Sequence, residues 1–349
     1  MQGLSTNKFG EADLKTDDRC FELIEKAGNQ MLEDAGLDSE YISSPGGKCR
    51  MFFGTLMADA DYYSRYSKAK SEGREEHCLC DMNEYACYAA KLFGVKGAVD
   101  VCSVACASGT TAVGMALQFI GAGLCDAVVV GGADPLTPLS AYGFNVLRAM
   151  SGDVCSPYDE SRDGINIGEC GAFFRVEELE HAKARGAHIY CEIVGFASGN
   201  DAYHITGPEP EGNEAVKTIS RSLDSAGISA DKLDYINGHG TGTEKNDSME
   251  KKAADMIFAG MASMPYMSST KALIGHCMGS SRAVELASVI ISINSGRPIK
   301  MPNLEKPIDG SDMFMPRENL HINYAMSNSF AFGGSSASPI VKRYEGEQR

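Results

Sequence analysis

One cysteine and two histidines stand in short runs of small residues, where a side chain can meet a reactant while its backbone is held tightly. Cys106 lies in A-C-A-S-G, His239 in N-G-H-G-T-G-T, and His276 in S-S-T-K-A-L-I-G-H-C-M-G. A free thiol, with a pKa of about 8.5, is only a few per cent thiolate at neutral pH, so a nucleophilic cysteine needs a setting that favours the anion. Ala98–Val104, before Cys106, is apolar and β-branched, as a buried strand is. Ala112, Val113, Ala116, Phe119 and Ile120 then fall at helical spacing, and Gly121 and Gly123 can end the helix. A sharp strand-to-helix turn is expected to leave Cys106 exposed at the sheet edge. There it faces the positive end of the helix dipole, which favours thiolate. Each histidine sits in a glycine-flanked turn, G-H-G or I-G-H, where backbone must approach closely. His181, His188 and His321 lack that setting and read as turn or core residues.

The elements that position these turns alternate along the chain. Met1–Leu14 is polar and shows no strand pattern, and Asp17–Leu37 reads as an amphipathic helix. Ser43–Lys48 reads as a turn, Arg50–Gly54 as a strand and Ala58–His77 as a charged, tyrosine-rich surface excursion. Met82–Phe93 is helical, Val99–Val104 is the strand before Cys106, and Asp126–Gly132 is another buried strand. A short helix (Ser140–Met150), a loop (Asp153–Gly168), a strand (Ala172–Val176), a helix (Glu177–Arg185) and a strand (Ile189–Ala197) follow. Glu214–Ala226 is amphipathic, Leu233–Asn237 is a strand running into His239, and Ser248–Phe258 is a helix. Pro265–Ser269 is a strand, Ser280–Asn294 an apolar helix, and Ile322–Phe330 and Ala337–Tyr344 are strands. This alternation predicts an α/β fold with helices on both faces of largely parallel sheets. It divides into an N-terminal half, residues 1–172, carrying the cysteine, and a C-terminal half, residues 173–349, carrying both histidines.

With 349 residues and a net charge of -15, the chain can bury a large core and offers no overall basic field for nucleic acid. An acidic partner would have to dock on a local basic patch. The twelve cysteines include no pair of C-x-x-C knuckles, so they read as free thiols of a reducing cytoplasm. His77, Cys78 and Cys80 are read in the same way, with a metal site there as the alternative, and no metal is expected elsewhere. The longest uncharged run, Val101–Cys125, carries too many Gly, Ser and Thr for a membrane span, so the protein reads as soluble and cytoplasmic.

The Cys106 turn, both histidine turns and the N-S-F-A-F-G-G segment at Asn328–Gly334 together resemble the elongating β-ketoacyl-acyl-carrier-protein synthases of the thiolase superfamily. The stretches Y-D-E-S-R-D-G-I-N-I-G-E-C-G-A and G-N-D-A-Y-H-I-T-G-P match as well, so the resemblance runs from about Asp17 to Tyr344. It implies a duplicated thiolase-like fold, layered α-β-α-β-α, and decarboxylative condensation of an acyl thioester with a malonyl thioester. It assigns acyl transfer to Cys106 and enolate stabilisation to His239 and His276. It counts Lys271 with them as a catalytic residue, partly buried and hydrogen-bonding nearby loops and a histidine, with a solvated lysine as the alternative. The backbone N–H groups of Cys106 and Phe332 would form an oxyanion hole, with Phe332 and Gly333 in a mobile gate. Phe144 would line the acyl channel, Thr241 and Thr243 would meet the pantetheine arm, and Arg148 would help dock the carrier. Glu285 would partner Lys271, with an ordinary surface glutamate as the alternative. No cofactor is implied, since substrates ride on phosphopantetheine of acyl carrier protein or on CoA. Partners would be acyl carrier protein and a second copy in a homodimer, with a heterodimer as the alternative.

The match also has departures. The chain starts after the family's usual first strand and helix, so a gap is expected inside the first sheet. S-E-G-R-E-E-H-C-L-C stands where an apolar dimer-interface segment is usual, Gly242 replaces a serine, and Ala331 replaces a glycine. Two readings in the same fold remain. A thiolase would need a second reactive cysteine, and only Cys277 follows Cys191; a non-elongating partner subunit would lack the nucleophile that Cys106 supplies.

Overall fold

A computed structural model describes residues 19–43, 49–74, 81–261, 263–317 and 320–346. The readings of Met1–Leu14, of residues 44–48 and of His77, Cys78 and Cys80 lie outside them. In chain order the first half contains α1 (Arg19–Asp34), α2 (Ser39–Ser43), β1 (Cys49–Gly54), α3 (Ala60–Ser71), α4 (Met82–Phe93), β2 (Val99–Cys102), α5 (Ser108–Gly121), β3 (Ala127–Asp134), α6 (Pro138–Val146) and β4 (Cys170–Glu177). The second contains α7 (Leu179–Ala184), β5 (Cys191–Asn200), α8 (Asn213–Ala226), β6 (Tyr235–Asn237), α9 (Glu244–Ile257), β7 (Tyr266–Ser268), α10 (Lys271–Ile274), α11 (Ser281–Ser295), β8 (Tyr324–Ser327), β9 (Ser329–Phe330) and β10 (Ser335–Arg343).

The strands form two sheets, β2-β1-β3-β4 and β5-β10-β8-β6-β7, with β9 pairing β10. Each is mixed rather than largely parallel: β1 runs parallel to β2 and β3 and β6 parallel to β7 and β8, whereas β4, β10 and β5 join antiparallel. The expected gap is absent. β3 pairs β4 along its whole length, so the first sheet is continuous, and among the described residues the open position is an outer edge beside β4. The expected division after residue 172 falls within β4.

Alternation along the strands builds the layers. In β1, Met51 and Phe53 face outward beneath Ile24 of α1 and Phe93 of α4. Phe52 faces inward and packs with Ala112, Val113 and Ala116 of α5 and Leu286, Val289 and Ile293 of α11. Tyr235, Tyr266, Ala325 and Val341 of the second sheet close that cluster from the other side. Ile219 and Leu223 of α8 and Ala254 of α9 cover the second sheet's outer face. Helices α5 and α11 therefore form a middle layer shared by both sheets.

One contact joins the halves, and an ion pair ties α1 to the approach to β4 within the first. The fully buried Asp134, at the end of β3, accepts from Thr55 Oγ1 (2.6 Å), Leu56 N (3.0 Å) and Met57 N (2.6 Å), and from Ser280 N at the head of α11 (2.6 Å). Arg19 at the start of α1 donates to Glu169, just before β4 (2.7 and 2.9 Å). The run read as a surface excursion lies largely at the surface and contains α3, which the sequence pattern did not give. No Gly or Pro interrupts Ala60–Ser71, and the helix buries Ala60 and Ala69 while Lys68 and Lys70 stay in water.

Candidate active site

The parallel strands of both sheets end near one cavity of about 410 Å³, lined by Cys106, His239 and His276 among others. Cys106 arrives on a turn held by backbone geometry. Ala105 has φ +45°, a region L-residues rarely adopt, and Ser108 Oγ accepts from Val104 N (2.9 Å) while donating to Ala105 O (2.6 Å). Cys106 is not exposed, as expected from the turn alone, but 4% accessible. The Phe332 backbone N–H is directed at its sulfur. Burial pushes the thiol above its ordinary value, outweighing the pull of the Arg282 and Lys271 charges and of that N–H. The expected shift toward thiolate is thus reversed in sign in this arrangement.

The His239 loop is held by carboxylates. Leaving β6, its N–H groups have no strand to pair with and would be costly orphans when buried. Glu250 on α9 accepts from His239 N (2.7 Å) and Gly240 N (2.6 Å); Asp247, one turn earlier, accepts from Thr241 N (3.1 Å) and Gly242 N (3.2 Å). Tyr158 OH also donates to Glu250 (2.9 Å). Burial and the neighbouring Asp247 charge push the Glu250 carboxyl up to about 7. Gly242 has φ +76°, and a Cβ there would lie 2.6 Å from Gly164 O and 2.8 Å from Cys155 Sγ, so serine does not fit this loop. A Cβ on Gly238 would lie 2.0 Å from the Tyr158 hydroxyl.

His276 is anchored from the loop before β4. Its N donates to Asn166 O (2.7 Å), and its O accepts from Gly168 N (3.0 Å). Met278 N donates to His276 Nδ1 (3.0 Å), which leaves the proton of the neutral ring on Nε2. The two imidazoles stand 5.7 Å apart between centroids at 85°. Burial, reinforced by the Arg282 and Lys271 charges, holds both well below the ordinary histidine value, so they are neutral N–H donors at pH 7.

Behind them lies a dry cluster of charges. Lys271 Nζ donates to His239 O (2.6 Å) and Glu285 Oε1 (2.5 Å). Glu285 has no exposed side-chain surface, so it is not the surface glutamate kept as the alternative. Arg282, equally buried, contacts Glu285 Oε2, His239 Nδ1 and Asn328 O. Burial and Arg282 lower the Lys271 ammonium from its usual value, while Glu285 opposes them.

The remaining residues lie around the same cavity. Phe144 stacks on Phe332 (5.7 Å) and lies 6.3 Å from the His276 ring. Thr241 and Thr243 line the wall, with their hydroxyls 2.8 Å apart. Arg148 is an exposed residue of the lining. Gly333 is exposed at φ +81°, whereas Ala331 is extended (φ -116°, ψ 159°). Cys277 is buried outside the cavity lining, with its sulfur near Ile274 O (3.7 Å). Among the described residues, no cluster of His, Cys, Asp or Glu could hold a metal ion.

Sequence reasoning missed Arg282, Asp247 and Glu250. The available signals were spacing: Arg282 with Glu285, and Asp247 with Glu250, fall three apart on one helical face. A charged pair on an otherwise apolar helix such as α11 is a poor fit to a solvated face.

Two stacked halves with reactive turns at the strand ends define the thiolase-like α/β fold. The Beta-ketoacyl synthase N-terminal domain matches residues 6–182 and the C-terminal domain residues 190–305; the chain belongs to the beta-ketoacyl synthase family. It is 38% identical over 261 residues to 3-oxoacyl-[acyl-carrier-protein] synthase 2 of Staphylococcus aureus (strain COL), covering 72% of this chain and 63% of that relative. The chain thus spans 63% of the length of this curated relative. Among solved structures, it resembles a type II PKS ketosynthase in complex with its acyl-carrier protein (TM-score 0.86, 28% identity, 95% and 86% of the two chains). It also resembles a beta-ketoacyl synthase from Burkholderia phymatum STM815 (TM-score 0.82, 28% identity, 99% and 87%). Among the described residues, no helix is long and apolar enough to cross a membrane.

Proposed function

We propose that the protein is a condensing enzyme that joins an acyl group held on Cys106 to a malonyl thioester with loss of carbon dioxide. The observation that carries this is the convergence of one buried thiol and two neutral imidazoles on a single cavity. In the first step Cys106 sulfur attacks the thioester carbonyl. The Cys106 and Phe332 N–H groups hold the oxyanion, and the carrier thiol leaves with the proton. In the second, the malonyl carboxylate departs as carbon dioxide, and the electron pair passes to the thioester oxygen, held by the His239 and His276 N–H groups. The enolate carbon then attacks the acyl carbonyl, and Cys106 leaves as thiolate. The product is a thioester two carbons longer.

Lys271 and Glu285 hold the His239 backbone in this scheme. The rest of the lining implies the substrate's route: Phe144 and Phe332 at the acyl end, Thr241 and Thr243 along the pantetheine arm. Acyl carrier protein docks beside Arg148, and the working form is a dimer. No cofactor takes part. Cys277 outside the cavity lining gives a thiolase no second cysteine at the site.

Intact mass after incubation with acyl-acyl-carrier protein tests this reading. The wild type should gain one acyl group and Cys106→Ala none. An adduct that persists on Cys106→Ala, or no adduct on the wild type, overturns it.

A further inference from the structure

The buried Arg282 has no part in the scheme above, yet it touches three of the segments that the scheme needs. Its side chain is completely inaccessible and does not line the cavity. From the first turn of α11, Nε reaches the Cys106 carbonyl (3.4 Å) and NH1 the Asn328 carbonyl (2.8 Å), two residues from Phe330 and the gate beyond it. NH1 also meets Glu285, and NH2 meets His239 Nδ1.

A guanidinium has five donors and no acceptor, and it does not give up its proton in proteins. Its contact with Nδ1 therefore has only one sense: Arg282 donates and Nδ1 accepts. We propose that Arg282 is a positioning residue that fixes His239 in the tautomer with its proton on Nε2, the nitrogen left to face the substrate. His276 reaches the same tautomer by another route, through the Met278 backbone N–H. One imidazole is thus set by the main chain, which mutation cannot remove, and the other by a side chain, which it can. The inference rests on the condensation reading, since an Nε2–H donor matters only where an oxyanion forms. The opposite tautomer would point N–H at a cation and a bare lone pair at the enolate oxygen.

The test uses full-length protein with nitrogen-15-labelled histidine, His239 being assigned by the signals lost in His239→Gln. In the wild type, Nε2 of His239 should carry the proton and Nδ1 should not. Arg282→Met should give a mixture of tautomers and slow malonyl-thioester decarboxylation about 10- to 100-fold, as loss of a group orienting a working histidine does elsewhere. Acylation of Cys106 should change less. Arg282→Lys, which keeps a charged donor, should restore the Nε2–H tautomer and much of the rate, and serves alone should the methionine variant fail to fold. A wild-type His239 with its proton on Nδ1 overturns the proposal. So does an unchanged tautomer in Arg282→Met, or an Nδ1–H tautomer in a folded lysine variant. Wild type with the expected tautomer but no acylation and no carbon dioxide release would instead refute the condensation reading and leave Arg282's hold on His239 standing.

Discussion

The two halves use one strand order and hold their chemistry in different ways. β1, β2, β3 and β4 correspond in position to β6, β7, β8 and β10, and β5 fills in the second sheet the edge position that is open beside β4 among the described residues. Cys106 follows β2, and Lys271 and His276 follow its counterpart β7; His239 follows β6. The nucleophile turn depends on a strained backbone at Ala105 and one serine hydroxyl. The His239 loop depends on two buried carboxylates that take four successive backbone N–H groups. A turn of a few residues leading straight into a helix can satisfy itself. A longer loop that must present a side chain in a dry cavity needs outside acceptors, and only carboxylates offer enough lone pairs in so little space.

That contrast breaks most visibly at Glu250. Glu250→Ala strands the N–H groups of His239 and Gly240 and the Tyr158 hydroxyl, and should cost about 3 kcal/mol or more in a urea melt and end condensation. A loss below about 1 kcal/mol would mean that the loop supports itself as the cysteine turn does.

Proton titration separates the halves next. With both imidazoles neutral, neither ring gains a proton between about pH 8 and about pH 6. Any fall of carbon dioxide release with acid in that window should come from Glu250, whose carboxyl is pushed up to about 7, and be absent in Glu250→Gln. An acid limb near the ordinary histidine value that persists in Glu250→Gln would contradict this. Cys106 behaves oppositely: its raised value means that iodoacetamide labelling keeps increasing with pH beyond the ordinary thiol midpoint. Phe332→Ala, by admitting water, should bring that midpoint down; an unmoved midpoint would show that burial is not the cause.

Ser108→Ala should cost only about 1 kcal/mol and slow acylation a few-fold, because the turn loses one clamp. A cost equal to that of Glu250→Ala would erase the distinction. Arg148→Glu should raise KM for carrier-bound substrate about five-fold at low salt and spare a short N-acetylcysteamine thioester. Equal effects on both substrates would make Arg148 structural. The smallest change is expected at Ala331, where extended geometry gives glycine nothing to relieve. Acylation by Ala331→Gly should stay within about two-fold of wild type at every chain length. Selective acceleration of long chains would show that opening the gate requires positive φ there.

Local pattern made much of this legible. The β-branched run into Cys106, the helical spacing after it and the glycine-flanked histidines are short-range signals, and α4, α5, α8 and β1 lie close to where those signals put them. Long-range pairing was not legible. Arg282 meets His239 across 43 residues and Asn328 across 46, and in one dimension a charged helical residue reads as a solvated one. Cys106 looked exposed because the residue whose N–H meets its sulfur, Phe332, comes from the other half. The gap was misplaced because strand order in space, which puts the open position at the rim beside β4, is not written in strand order along the chain.

Because α5 and α11 serve both sheets, neither half has a finished interior without the other. Cut between α7 and β5, each piece would carry one uncovered side of the middle layer, and Asp134 would lose Ser280 N. Duplicated architecture here gives one unit of cooperativity rather than two. Heat should melt the protein in a single transition whose calorimetric and van't Hoff enthalpies agree. Separately expressed halves should gain structure only when mixed.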